Sequence, residues 1–324
     1  MNSRFPKLIK SLLPTPHWRR IRRIANRLRW IQKARLVRQY RFPLQQRPLT
    51  ALKYILWDPE LESFSYRIGN EEAYADFIAP VLDVTPAQVM KWIREAQTDP
   101  YLTRDRGLHW SYKRRQPLGN RTMWYPIARA LKPRLIVEAG IHEGLSSEMF
   151  LCALKRNAEE GHPGTLVSFD VFDDTGTLVH PDLRENWQRV IKPTPGAIAP
   201  VLQGRQVDLF LHETLHTPEL IGGELDVVLQ HAGPRLGVID SSGLLNPTLR
   251  EYCRRNDARH HHFFDQPVDH VVKSEGTSFA IFERTPVPEE EQTRLATLRV
   301  IDAITILCLY LQPSVGAAYA LAGC

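Results

Sequence analysis

Two short stretches of this chain combine residue types and spacings suited to binding and proton transfer. The first, Glu138-Ala139-Gly140-Ile141-His142-Glu143-Gly144, sets an acid and two glycines directly after the apolar run Leu135-Ile136-Val137. Glycines let a ligand approach the backbone, and a helix capped by Ser146 or Ser147 would turn its free N–H groups towards an anionic group. The second, His212-Glu213-Thr214-Leu215-His216, spells H-E-x-x-H. On a helix that spacing places two imidazoles one turn apart on zinc, with the Glu as general base of a protease. Asp170 and Asp240 each close an apolar run of their own. The triple His260-His261-His262 alternates across a strand-like segment and reads as structural rather than as a metal cluster.

These residues need elements to hold them, and the hydrophobic pattern supplies a regular alternation. Strands are predicted over residues 135–138, 165–170, 189–191, 207–212 and 236–240, with helices over 123–131, 146–157, 183–187, 218–230 and 246–256. Residues 260–264 and 277–282 suit a closing antiparallel hairpin. Strands alternating with helices predict an α/β fold, a doubly wound and mostly parallel sheet whose ligands sit at the carboxyl ends of the strands. Glu138, Asp170, His212 and Asp240 then gather on one edge. The same pattern opposes a protease. Residues 207–211 read as a strand, not a helix, and Pro218 would disrupt any helix continuing past His216.

Upstream, residues 71–82 and 86–96 read as two helices, the second begun by Thr85 with Pro86 at its first position. The chain divides into a basic helical arm (1–48), a small helical cap region (49–116), the α/β domain (117–285) and a C-terminal tail (286–324). No Asp or Glu occurs from Met1 to Lys53, where 15 of the 42 Lys and Arg residues fall, so the remainder carries 27 basic against 36 acidic residues. The basicity belongs to the arm. Residues 17–42 have a helical period, with Ile21, Ile24, Leu28 and Ile31 on one side and arginines elsewhere. Such a helix can lie on an anionic membrane surface with Trp30 at the interface, each basic residue contributing about 1 kcal/mol. Its alternatives are a solvated helix resting on the acidic domain and, with no reader motif beside it, nucleic-acid binding. The tail holds the apolar run ILCLYL, but Asp302, Gln312 and Pro313 argue against a membrane span. Four scattered cysteines and no visible cleavable signal point to a reducing, cytoplasmic setting, with peripheral membrane attachment through the arm.

The E-x-G-x-x-x-G arrangement at 138–144 lacks the third glycine of a dinucleotide site and resembles the first motif of class I S-adenosylmethionine-dependent methyltransferases. FLHETLHTPEL (210–220) resembles the fourth-strand segment of bacterial members reading roughly F-I-H-D-S-L-H-T, and LGVIDSSGLLNPTLREYC (236–253) resembles their fifth strand and following helix. WDPELESFSYRIGN (57–70) is similar to the small helical region before their catalytic domain. The resemblance implies a Rossmann-like domain that binds S-adenosylmethionine through Glu138, Gly140, Gly144, Ser146 and Asp170, with the Asp170 carboxylate taking the ribose hydroxyls. It implies methylation of a hydroxyl on a small molecule or sugar. His216 is the first choice of base, with Glu213, Asp240 and His212 beside it, and a divalent metal on Glu213 and Asp240 is the other way to stabilise an alkoxide. The chain departs from the family after the third strand, where Lys192-Pro193 replaces an acid that would face adenine. An inactive methyltransferase fold held at a membrane by the arm is the alternative.

Overall fold

The computed structural model describes residues 66–104, 118–242, 247–268 and 276–283. The basic arm, the apolar segment 51–57, most of the 101–116 linker and the C-terminal tail lie outside the described residues. The first elements are a two-residue strand β1 (Arg67–Ile68) and the helices α1 (Glu71–Leu82), α2 (Pro86–Thr98), α3 (Pro100–Thr103) and α4 (Arg121–Leu131). Thr85 opens α2 as expected: its side chain accepts from the Gln88 N–H, and Pro86 occupies a first-turn position where its missing donor costs nothing. Then follow β2 (Leu135–Ala139), α5 (Leu145–Glu159), β3 (Thr165–Asp170), a 3-10 turn (Pro181–Asn186) and β4 (Trp187–Ile191). After them come α6 (Ile198–Leu202), β5 (Val207–His212), α7 (Pro218–Gln230), β6 (Ala232–Asp240) and α8 (Thr248–Arg255). The described chain closes with β7 (Arg259–Phe263), β8 (Pro267–Val268) and β9 (Thr277–Glu283).

Seven strands form one sheet in the order β4-β3-β2-β5-β6-β9-β7. The strands from β4 to β6 are mutually parallel, and β9 runs antiparallel to both β6 and β7. The closing hairpin is present, with β9 inserted between β6 and β7. Alternate side chains feed two cores, as the twofold strand period requires. Ile136, Leu166, Leu209, Leu211 and Ile239 face a core shared with α4, α5 and the upstream helices α1 and α2. Leu135, Val137, Val167, Phe210 and Val238 face the other core, with Ile198, Leu225 and Leu249 from α6, α7 and α8. Strands buried on both faces read as near-continuous apolar runs, which is why they were visible in the sequence.

The upstream helices are tied to the sheet domain by a buried cation. Arg129 of α4, only 2% exposed, places Nε 2.7 Å from Glu95 Oε1 of α2 and Nη2 2.5 Å from Glu160 Oε1 just past α5. It also donates to the buried Asn157 side chain. One expectation fails at the start of α5. Neither Ser146 nor Ser147 caps it: Gly144 stands at the cap in a left-handed conformation (φ 92°), with no side-chain cap bond. Both serines lie inside the first turn, and the Ser147 hydroxyl is drawn inward by a buried acid.

Candidate functional site

The glycine turn is built around Glu138. This side chain is fully buried at the end of β2, and its Oε2 accepts hydrogen bonds from Ser147 Oγ and Ser168 Oγ, each at 2.6 Å. Trp187 Nε1 in turn donates to Ser168 Oγ at 2.9 Å, so one carboxyl ties together β2, β3, β4 and α5. Burial pushes the Glu138 carboxyl up to about 7, against the pull of Ser146, Ser147 and Ser168, and the negative charge of Glu213 adds to the rise. Gly140 (φ 96°) and Gly144 (φ 92°) both need the left-handed region that glycine enters freely. At Gly140 a Cβ would fall 2.2 Å from the Glu213 carbonyl oxygen, so the turn is pressed against the chain leaving β5.

Asp170, at the end of β3, has both oxygens occupied by backbone. Oδ2 accepts from the Ile141 and His142 N–H groups at 3.0 Å, and Oδ1 from Val171 at 2.7 Å and Phe172 at 3.1 Å. Four N–H donors fill the acceptor capacity of a carboxylate. The acid therefore clamps the glycine turn to the loop after β3, whereas the resemblance implies that its carboxylate takes ribose hydroxyls. That loop returns over the turn, with Gly176 N donating to His142 O at 2.8 Å and Leu178 N to Glu143 O at 2.9 Å. Ser146, 3% exposed, sits in the first turn of α5 beside them.

Parallel register brings the remaining candidates to the same edge: Ala139 of β2 lies opposite His212 of β5, and His212 opposite Asp240 of β6. His212 and Asp240 are fully buried. The chain then turns back, with Thr217 N donating to Leu215 O at 2.7 Å, and returns the exposed His216 to within 5.3 Å of His212, measured between ring centroids. One ligand atom from each of His212, His216 and Asp240 lies within 4.8 Å of the other two, the one such group of His, Cys, Asp and Glu among the described residues. Glu213 is outside that group, and its backbone N–H is held by Ala139 O at 2.8 Å. The H-E-x-x-H histidines thus meet without a helix. Since β5 runs through His212 and α7 begins only at Pro218, the protease arrangement is absent.

Several polar atoms at this edge are buried with no partner among the described residues: His212 Nε2, Asp240 Oδ2, Ser241 Oγ, Ser242 Oγ and Glu213 Oε2. Buried polar atoms are almost always paired, so a cluster of orphans marks a place where something else binds.

Residues 137–239, spanning the glycine turn and the ends of β2, β3, β5 and β6, match the family model described as a methyltransferase domain. Over this segment the chain is similar to a methyltransferase domain. Among solved structures the chain is similar to an O-methyltransferase of tomaymycin synthesis from Streptomyces achromogenes, solved with S-adenosylmethionine. The identity there is 14%, over 70% of this chain and 96% of that one, with a TM-score of 0.39. It is similar also to an O-methyltransferase from Bacillus cereus solved with S-adenosylhomocysteine, at 10% identity over 69% of this chain and all of that one (TM-score 0.37). A third is an rRNA methylase from Streptococcus thermophilus, at 12% identity over 50% and 95% of the two chains (TM-score 0.37). No curated protein matches the sequence.

In this parallel-sheet domain the sequence missed the residues that support the site from behind. Glu224 of α7 is fully buried with Oε2 2.6 Å from His212 Nδ1, and it also takes the Thr194 hydroxyl. Nothing local announces it, because a glutamate inside a helix usually faces solvent. Ser168 was read only as a strand residue, and Trp187 as the end of a short helix over 183–187, whereas it is the first residue of β4. The histidines of β7 keep to structural contacts: His260 and His262 stack with ring centroids 6.5 Å apart, and His262 Nδ1 lies 2.9 Å from Ser278 Oγ.

Proposed function

We propose that this chain is an S-adenosylmethionine-dependent methyltransferase and that it methylates a hydroxyl oxygen on a small molecule or sugar. The observation that carries the acceptor assignment is the cluster of unpartnered buried atoms at the ends of β5 and β6, next to the glycine turn. Those atoms include basic nitrogen and carboxylate oxygen, the types needed to remove a hydroxyl proton.

When bound, S-adenosylmethionine supplies an electrophilic methyl group on a sulfonium. Gly140, Gly144 and Ser146 would present backbone to it, while Glu138 keeps the turn in shape and Asp170 fixes the two loops beside the turn. Contact between Asp170 and ribose hydroxyls would require it to release some of its four N–H partners. Transfer of that methyl group to an acceptor oxygen would leave a neutral thioether, and the cluster of His212, Glu213, His216 and Asp240 would take up the hydroxyl proton. The orphaned nitrogen and oxygen atoms fit either an imidazole base or a cation-stabilised alkoxide, the two routes open from the sequence.

The assay is transfer of labelled methyl from S-adenosylmethionine to panels of hydroxyl and amine acceptors. Methylation of hydroxyl acceptors, reduced at least tenfold by Asp240→Asn, supports the assignment; methylation confined to amines or to RNA refutes it. For the arm, whose structure lies outside the described residues, we propose peripheral attachment to anionic membranes. Sedimentation with phosphatidylserine vesicles that is no greater than with neutral vesicles removes that reading. No described helix is long and apolar enough to cross a membrane.

A further inference from the structure

The donors at the ends of β5 and β6 are arranged for an ion. His212 Nδ1 lies 2.6 Å from Glu224 Oε2, with both side chains fully buried. A carboxylate can only accept, so it holds the imidazole proton at Nδ1 and leaves Nε2 as a lone pair. Glu224 is itself fixed by the hydroxyls of Thr194 and Thr214 on its other oxygen. Nε2 is buried and has no partner among the described residues, and a ring nitrogen of His212 lies within 4.8 Å of the ligand atoms of His216 and Asp240. Asp240 repeats the pattern. Its Oδ1 accepts from Ser242 N at 2.9 Å, while Oδ2 is buried and unpartnered. A buried carboxylate oxygen without a donor is costly unless a positive charge meets it. His216 supplies a third donor from the exposed return loop, within 4.8 Å of the other two ligand atoms.

We propose that His212 Nε2, Asp240 Oδ2 and His216 bind one divalent ion of the borderline first-row class, such as Zn²⁺ or Co²⁺, with Glu224 as the carboxylate that orients His212. A carboxylate behind a metal-bound imidazole is the usual support of such ligands. Two nitrogens and one oxygen disfavour Mg²⁺ and Ca²⁺, which take oxygen sets. The ligand set also departs from the one expected on Glu213 and Asp240. Asp240 stays, and histidines replace the second acid because parallel register and the turn at Leu215–Thr217 bring them there. Three protein ligands leave coordination positions open, which an acceptor oxygen can enter and so ionise. With His216 a ligand, the cation route replaces the imidazole base. The ion's role in the reaction rests on the methyl-transfer reading, but its binding does not.

The full chain, stripped with chelator, is titrated with Zn²⁺, Co²⁺ and Mg²⁺ by calorimetry, and the Co²⁺ form is followed by its visible bands. One equivalent of Zn²⁺ should bind, Co²⁺ should show nitrogen-ligand bands, and Mg²⁺ at equal concentration should not compete. His216→Ala, at an exposed position that leaves the fold intact, should lower Zn²⁺ affinity at least a hundredfold, and Asp240→Asn likewise. Glu224→Gln should lower it about 10- to 100-fold. Folded wild type that takes up no stoichiometric Zn²⁺, or Zn²⁺ binding that survives His216→Ala and Asp240→Asn together, overturns the site; so does Mg²⁺ binding as tightly as Zn²⁺. S-adenosylmethionine is titrated into the same samples. Cofactor binding without Zn²⁺ binding defeats the ion site and leaves the methyltransferase reading standing. Zn²⁺ binding without cofactor binding supports the ion site and removes that reading.

Discussion

Replacing Glu138 by Gln should remove a pH dependence of stability that the wild type carries between pH 4.5 and about 7. Burial raises this carboxyl from its ordinary value of 4.5 to about 7. Between those values the unfolded chain has lost the proton and the folded chain keeps it. The folded state therefore binds more protons, and stability falls as pH rises through the window. A shift of that size corresponds to about 3 kcal/mol, complete once pH exceeds the folded value. The Gln variant keeps an oxygen to accept from Ser147 and Ser168 but has no proton to lose. Urea unfolding of both proteins at steps from pH 4.5 to 8 isolates the effect, since all other groups titrate in both. The wild type should lose about 3 kcal/mol relative to the variant across this range. Parallel profiles would show that Glu138 ionises normally and that burial beside the glycine turn does not control it.

Two further perturbations probe the frame of the site. Gly140→Ala places a Cβ 2.2 Å from the Glu213 carbonyl oxygen at φ 96°, and should cost on the order of 3 kcal/mol or more in chemical denaturation. Gly204→Ala, also at positive φ (83°) but with nothing within 4 Å, should cost only about 1–2 kcal/mol. Equal losses would deny the backbone contact at Gly140. Arg129→Ala removes the guanidinium shared by Glu95, Asn157 and Glu160, and should destabilise by about 3 kcal/mol with cooperative loss of the α1–α2 helices. A loss under about 0.5 kcal/mol, the scale of an ordinary surface change, would contradict that tie.

What could be read in advance follows from where the determining contacts lie. VDLFLH was visible as β5 because Val207, Leu209, Phe210 and Leu211 make a nearly continuous apolar run, and α7 because Thr217 and Pro218 form a local start signal. The gathering of Glu138, Asp170, His212 and Asp240 on one edge followed from parallel order alone. The start of β6 was missed: Pro234 and Arg235 resemble a turn, yet Ala232 pairs with Val207 across an irregularity in register. Ser147 was misread because a serine before a helix serves equally as cap or as donor to an acid, and only Glu138 decides between them. Glu224 was illegible, since its partner His212 reaches it only after the chain has turned from β5 into α7. Asp170 was placed correctly at its strand end, but its four backbone partners belong to two loops separated by α5 and β3.

The central claim is that the turn from Glu138 to Gly144 holds S-adenosylmethionine with Asp170 as its clamp. Calorimetric titration of the full chain with S-adenosylmethionine tests it most directly, with Asp170→Ala as the paired sample. The account requires saturable one-to-one binding in the wild type and at least a tenfold weaker affinity in a folded Asp170→Ala. Folded wild type that binds no S-adenosylmethionine, or equal affinity in the two proteins, would contradict it.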